Sequence, residues 1–246
     1  ATGGKSLPKT GSRGFGLQLL SRLGHELAPA FPALTPLLLD PKTPLNGLAG
    51  LTVPAVLTLA PLSAEPEQLA GKKFRPLARS AGSLLVTHKG ATGPAPFDVS
   101  GPCGRAKGDP TRLSADFWTL TLPEGPWAAY RDDAKAPGAS LRPAEAPRPP
   151  SRELFEAQAK SLLNQRQRSL LQVFAERLPK SLLQGLFRVS DLDPSQPIKQ
   201  LDTRARTRLW LALTQADLRV VGSEGYAKAE VTAGGVRLDE LLPATL

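Results

Sequence analysis

The 246-residue sequence predicts an α+β protein, a small barrel or folded sheet of short strands joined to a mini-bundle of three or four short helices. Three observations carry this reading. Short apolar runs separated by turn residues recur through the first half, as expected for short strands in a barrel or folded sheet. From Ser151 to Leu213 the apolar residues instead recur at helical intervals. Finally, 25 prolines, 22 glycines and a 5% aromatic share favour many short elements over long helices, while 41% hydrophobic content suffices for a core.

The elements follow in order. Up to about Thr35, glycine-rich turns feed a helix, in which Leu17, Leu19, Leu20, Leu23 and Leu27 stand at near-helical spacing until Pro29 and Pro32 stop it. From Pro36 to Arg148 strands are expected at Leu37–Leu39, Leu51–Leu59, Ser83–Thr87 and Phe117–Leu122, the last because Trp118, Thr119 and Thr121 favour extended backbone. The stretch Asp132 to Pro150 carries Pro137, Pro143, Pro147, Pro149 and Pro150, sustains neither helix nor central strand, and reads as a linker. Ser151 caps a helix containing Leu154, Phe155, Leu162 and Leu163. Ser169 to Leu178 continues the pattern, and Pro179 suits the first turn of a helix over Ser181 to Phe187. After the turn Asp193 to Pro197, Ile198, Leu201, Leu209, Trp210 and Leu213 give another amphipathic helix. Asp217 to Val221 reads as a returning strand, and Tyr226 to Val236 as a strand ending in a Gly-Gly turn. There is no internal repeat.

Composition narrows the function. No apolar run approaches the roughly 18 to 20 residues that span a bilayer, and no basic-then-apolar leader is visible, so a cytoplasmic protein without a membrane partner is expected. Cys103 stands alone, which excludes an intramolecular disulfide and a cysteine metal cluster, and with only His25 and His88 beside it a zinc site is not expected. The net charge of +9 permits attraction to phosphate polymers. Much of it lies between Ser151 and Arg219, where twelve basic residues face seven acids. A solvated helix surface and an RNA-docking surface both answer to that pattern, with Arg166, Arg168, Arg204 and Arg206 as the candidate nucleic-acid contacts.

The glycine motifs are individually weak. Gly4-Lys5-Ser6 lacks the upstream glycine of a phosphate-binding P-loop, and Gly11, Gly14 and Gly16 do not have the spacing of a dinucleotide fingerprint. Read physically, the first sixteen residues offer backbone with little side-chain obstruction leading into a helix. A second segment, Leu84 to Ala95, passes from strand through His88 into a Gly-Pro helix start whose N–H groups suit an anion or carbonyl oxygen. Histidine is the side chain suited to proton transfer near neutral pH, which makes His88 the candidate catalytic residue beside its plainer structural reading. No serine, histidine and acid stand in a nucleophile-elbow context.

Four runs occur in one order: A-T-G-G-K-S-L-P-K-T-G-S-R-G-F-G, L-G-H-E-L-A-P-A-F-P-A-L-T-P-L, T-H-K-G-A-T-G-P-A and E-G-Y-A-K-A-E-V-T-A-G-G-V. Together they resemble the HI0933-like flavoproteins over nearly the whole chain. The resemblance implies an FAD-dependent oxidoreductase, with NADH or NADPH as candidate reductant, whose FAD domain is interrupted by an insert of a small β-barrel and a three-helix unit. It sets the expected divisions at 1–36 for a segment of the FAD domain, 37–148 with 215–231 for the barrel, 151–214 for the helices, and 232–246 for the return to the FAD domain. It places Thr2, Gly3 and Gly4 in a flavin-contacting turn and Thr232, Ala233, Gly234 and Gly235 in the return segment, with His88 and Gly93 in the motif joining insert to FAD domain, where both are expected to approach the flavin ring or substrate. The family acts on substrates as different as aminoacetone, a bile-acid ring and a uridine of ribosomal RNA, so the resemblance leaves the choice between a small molecule and RNA open.

Departures from the family pattern are equally specific. The G-x-G-x-x-G strand-turn-helix that would hold the FAD pyrophosphate and the later glycine-rich segment are missing, and the chain has no methionine. The sequence is therefore expected to be an internal segment of a longer parent and not to hold FAD well by itself. Lys89 stands where most relatives have an apolar residue, and Pro96 is extra before Phe97 and Asp98.

Overall fold

The structure is a computed structural model that describes residues 3–105, 111–122, 140–141 and 146–240. Its strands are β1 (Leu27–Ala33), β2 (Leu37–Leu39), β3 (Thr52–Pro61), β4 (Ala78–Val86), β5 (Gly90–Thr92), β6 (Thr111–Asp116), β7 (Ser140–Leu141), β8 (Ala216–Asp217), β9 (Val220–Ser223) and β10 (Val231–Val236). The helices are α1 (Phe15–Arg22), α2 (Pro66–Ala70), α3 (Pro94–Arg105), α4 (Arg152–Gln158), α5 (Lys160–Leu163), α6 (Leu170–Phe174), α7 (Lys180–Val189) and α8 (Thr203–Thr214). The expected α+β class is what the chain adopts.

The main sheet is antiparallel and runs β8-β6-β3-β4-β5-β2-β9, with β7 added against β4. Its two edge strands, β8 and β9, are separated in sequence only by Leu218 and Arg219. Such a connection forces the sheet to curl until its edges approach. Leu218, fully buried, donates its N–H to Leu113 at one edge (3.0 Å), and Arg219 accepts from the N–H of Asp40 beside the other (2.9 Å). No ladder joins β8 to β9 among the described residues, so the sheet is open and rolled.

One face of β3 sends Ala55, Leu57 and Leu59 into the core. Against them lie Phe117, Trp118, Phe155, Phe174, Phe187 and Trp210, so sheet and helices bury a common apolar cluster. The Trp118 ring meets Phe155 and Phe174 edge-on, with centroids 5.3 and 5.9 Å away, a geometry favoured by the ring quadrupoles. Helix starts obey their caps. Ser151 accepts from the N–H of Leu154, Ser169 forms a capping box with Gln172, and Asp202 accepts from Ala205.

Four local expectations are corrected. The returning strand expected at Asp217–Val221 is broken at Leu218 and Arg219 into β8 and β9 at opposite edges of the sheet, and the strand expected from Tyr226 begins only at Val231, after a 3-10 turn at Gly225–Ala227. Phe117–Leu122 is no strand: it contains a 3-10 turn at Thr119–Thr121, because Asp116 ends β6 by accepting from the N–H groups of Trp118 and Thr119 (2.8 and 2.9 Å). The first helix ends at Arg22, and Leu27 begins β1, a strand containing both Pro29 and Pro32. Pro29 falls in a bulge between Ala28 and Phe31, and among the described residues β1 has a single partner, β10, so neither proline breaks a central ladder. Most of the expected linker lies outside the described residues. Its end, residues 146–150, has no regular element and is buried except for Arg148.

Candidate functional site

The first and last glycine motifs meet on the β1–β10 ribbon. Thr232 projects its hydroxyl into the turn that follows Gly4, where Oγ1 accepts from the N–H of Lys5 (2.7 Å) and Ser6 (3.0 Å) and shares a hydrogen bond with Ser6 Oγ (3.0 Å). A Cβ at Gly4 would collide with that threonine. The Gly4 carbonyl is held in turn by the Ser12 hydroxyl and the Gly14 N–H, both at 2.7 Å. Gly3 has φ +64° and faces Ser12. Thus Gly3, Gly4 and Thr232 are brought together, with Ala233, Gly234 and Gly235 following along β10; Thr2 lies outside the described residues.

Two cavities flank this ribbon. One of about 430 Å³ is lined by Lys5, Leu17, Arg22 and Gly235 among others. The other, about 840 Å³, is lined by Phe31, Tyr226, Ala233 and Gly234. Gly234 has φ +84°, and a Cβ there would strike the carbonyl of Pro29, so its close approach to β1 alone requires glycine. The Tyr226 hydroxyl is buried without a hydrogen-bond partner among the described residues, and burial pushes its pKa up.

His88 sits elsewhere, at the exposed tip of the β4–β5 hairpin. Thr87 shapes that tip, its Oγ1 accepting from the N–H of Gly90 (3.1 Å). Beside it lies a cavity of about 350 Å³ lined by Asp40, Thr43, Asn46, His88 and Lys89. Thr43 is 4% exposed, and its hydroxyl has no hydrogen-bond partner among the described residues. Lys89 reaches Glu224 at 3.4 Å. This cavity shares no lining residue with the two beside the ribbon.

Gly93 takes φ +106° at the start of α3, pressed to within contact of the Ser83 carbonyl. The first turn of α3 holds Pro94 and Pro96, which have no N–H, and fully buried Ala95. The expected cradle of several N–H groups therefore reduces to one. What α3 does supply is a brace. Asp98 accepts from Ser80 on β4 (2.7 Å), Ser100 Oγ accepts from the N–H of Thr35 (3.1 Å), and Gly101 lies against Phe31 and Ala33 of β1.

Of the four candidate arginines, Arg166, Arg168 and Arg204 are exposed and Arg206 is half-buried. Arg168 is clamped by Gln165, Glu176 and the Gln172 carbonyl. The Arg166 carbonyl accepts from the N–H of Lys199 (3.1 Å), which brings those two residues side by side. Arg206 Nε donates to the Leu201 carbonyl (3.4 Å).

Sequence reasoning missed a buried pair on the sheet face away from the main core. Asp116, with burial as the dominant cause, has its pKa pushed up to about 7, while hydrogen bonds from Thr119 and Trp118 and the charge of Arg79 pull it back. Arg79 donates to Thr58 (3.2 Å), and burial, then Arg148, lower it to about 10. Neither residue sits in a motif; only the tertiary fold makes them neighbours. No helix among the described residues is long and apolar enough to cross a membrane, and no group of three or more His, Cys, Asp or Glu could hold a metal ion among them.

Comparison with known proteins bears out the four-motif resemblance. Residues 127–231 match the HI0933-like protein barrel and H2TH domain. Along all of its length the chain is 29% identical to the ribosomal RNA dihydrouridine synthase of Escherichia coli, of which it covers 49%. It is also 29% identical, again over its full length, to the 3-dehydro-bile acid delta(4,6)-reductase of Clostridium scindens, covering 51%. The ribosomal RNA dihydrouridine synthase of Haemophilus influenzae is 32% identical over 101 residues, which are 41% of this chain and 21% of that protein. The chain spans about half the length of the first two relatives.

Proposed function

From the premise that this chain carries an HI0933-like barrel and H2TH domain over residues 127–231, we propose that it is part of an FAD-dependent oxidoreductase. In this reading, residues 1–36 and 232–246 belong to the FAD-binding domain, 37–148 with 215–231 to a barrel-like insert, and 151–214 to a helical insert. The observation that carries it is the meeting at Thr232 Oγ1, which ties the Gly4 turn to β10 across more than 220 residues of sequence. Both segments are the ones the family resemblance assigns to the flavin.

The residues present fit one flank of such a cofactor. FAD, when bound, supplies the hydride chemistry, and the protein selects what reaches it. Gly3, Gly4, Ala233, Gly234 and Gly235 leave the backbone open to close approach. Lys5 and Arg22 place cations on the smaller ribbon cavity, where a phosphate would be neutralised, and Phe31 and Tyr226 line the larger. His88 is assigned the proton transfer to substrate, with Gly93 and α3 bracing its hairpin against β1. NADH or NADPH is the matching reductant.

The substrate follows one of two readings. The names of the relatives include a bile-acid reductase and a ribosomal RNA dihydrouridine synthase. The exposed basic side chains beside Lys199 and at the start of α8 favour RNA, in which case the helical insert is the docking part of a uridine reductase.

The test is a flavin titration comparing this 246-residue chain with one extended at both ends to the family's full length. Flavin absorbance in the extended form only is expected, together with a loss of turnover in its His88→Ala variant. If neither form takes up flavin, the oxidoreductase reading is wrong; unchanged turnover in the histidine variant removes that residue's role alone.

A further inference from the structure

The unit formed by residues 3–33 and 224–240 is only partly covered by the rest of the fold. Its β1–β10 ribbon stands outside the main sheet, and a two-stranded ribbon alone is marginally stable in water. The helix beside it, α1, fully buries just one residue, Gly16. Leu17 turns inward to Gly235, while Phe15, Leu19 and Leu23 recur every fourth residue and so share the opposite face. They are 59%, 42% and 68% exposed. Of the eleven large hydrophobics exposed among the described residues, six lie in these two stretches, the others being Leu7, Val231 and Leu238. Scattered apolar residues are normal on a surface; such a concentration on one small unit marks an interface.

We propose that the outer face of α1 is the docking surface for polypeptide from the other half of the family's length, presenting an apolar centre to Phe15, Leu19 and Leu23. The inference rests on the reading that this chain is part of a longer flavoenzyme. Two observations select that occupant. The E. coli and C. scindens relatives carry as much sequence again as this chain spans, which is enough to complete a domain around the ribbon. A second copy of the chain is the poorer occupant, because each brings a net charge of +9 to the contact. Arg13, exposed just before α1, gives the fitting surface an acidic rim.

Cysteine labelling tests it. With Cys103→Ser as background, Leu19→Cys and Leu23→Cys are reacted with a maleimide in the 246-residue chain and in the full-length form, and Leu62→Cys, 53% exposed in the turn after β3, serves as the control. The expected result is at least a tenfold slowing at positions 19 and 23 in the full-length form, with Leu62→Cys reacting alike in both. Equal rates at 19 and 23 overturn the proposal. So does protection in the 246-residue chain that grows with its concentration, which assigns the face to self-association. Flavin absorbance of the same full-length samples separates the two readings: flavin bound with α1 unprotected overturns the surface and spares the enzyme, and protection without flavin does the reverse.

Discussion

Asp116 shows what one side chain can report about the whole sheet. Its Oδ1 accepts two backbone N–H groups and its Oδ2 accepts the Thr119 hydroxyl at 2.5 Å, so it terminates β6 and holds the turn that presents Trp118 to the helices. Three donors and the nearby Arg79 favour the carboxylate, yet complete burial outweighs them and raises the pKa to about 7. An acid raised above its unfolded value, about 3.9, contributes stability that is complete below that value and lost as pH rises through the folded one. Stability is therefore expected to fall between about pH 4 and pH 7, by an amount on the order of a few kcal/mol. Asp116→Asn removes the titrating group while keeping an acceptor for the two N–H groups. Denaturation midpoints at pH 5 and pH 8 should differ clearly in the parent and much less in the variant. Equal pH dependence in the two proteins would mean that the raised pKa is wrong.

Among the elements, α7 is set by a contact that no periodicity reveals. Gly185 faces the carbonyl of Pro44 so closely that a Cβ there would collide with backbone, and this seats the 41–50 loop, with buried Leu45, against the helical region. Alanine normally gains about 1 kcal/mol over glycine inside a helix. Here overpacking at a typical cost of 1 to 3 kcal/mol opposes it, because a backbone carbonyl cannot swing aside. Gly185→Ala should lower the thermal midpoint by several degrees; a rise would show that the helix and loop do not touch as described. The other elements differ in how plainly the sequence announces them. Ser151 and Pro179 mark helix starts by local chemistry, and Leu37–Leu39 needs only its apolar run, so these were legible. Phe117–Leu122 was not, since its aromatic and threonine content mimics a strand while Asp116, one residue earlier, ends it. The β1 strand hid behind prolines that an edge position tolerates. For the candidate site, both glycine motifs were visible, but their meeting through Thr232 depends on the ribbon closing. The orphan hydroxyls of Thr43 and Tyr226 arise purely from packing, which leaves no mark on a single sequence.

At the scale of the molecule, a charge of +9 is unevenly used, and the geometry grades the basic residues. Arg168 spends its guanidinium on Glu176 and Gln165, and Arg208 lies 3.4 Å from Asp191. Asp202 commits its carboxylate to capping α8, one residue ahead of the Thr203–Thr214 helix on which exposed Arg204 stands, while Arg166 lies exposed beside Lys199. If these basic residues dock RNA, Arg166 and Arg204 should matter more than Arg168, because breaking an existing ion pair offsets part of what a new phosphate contact gains. Binding of a single-stranded or looped RNA should weaken steeply as salt rises, each phosphate contact contributing roughly 0.7 to the logarithmic slope for single strands. Arg166→Glu and Arg204→Glu should each lower affinity by about tenfold or more and flatten that slope by about one contact, with Arg168→Glu producing the smallest loss. Fluorescence anisotropy at several salt concentrations reads all three variants on one scale. A salt-independent affinity, or equal losses at the three positions, would leave the basic residues as a solvated helix surface. Retained salt dependence with graded losses would instead make the helical region an RNA-docking surface.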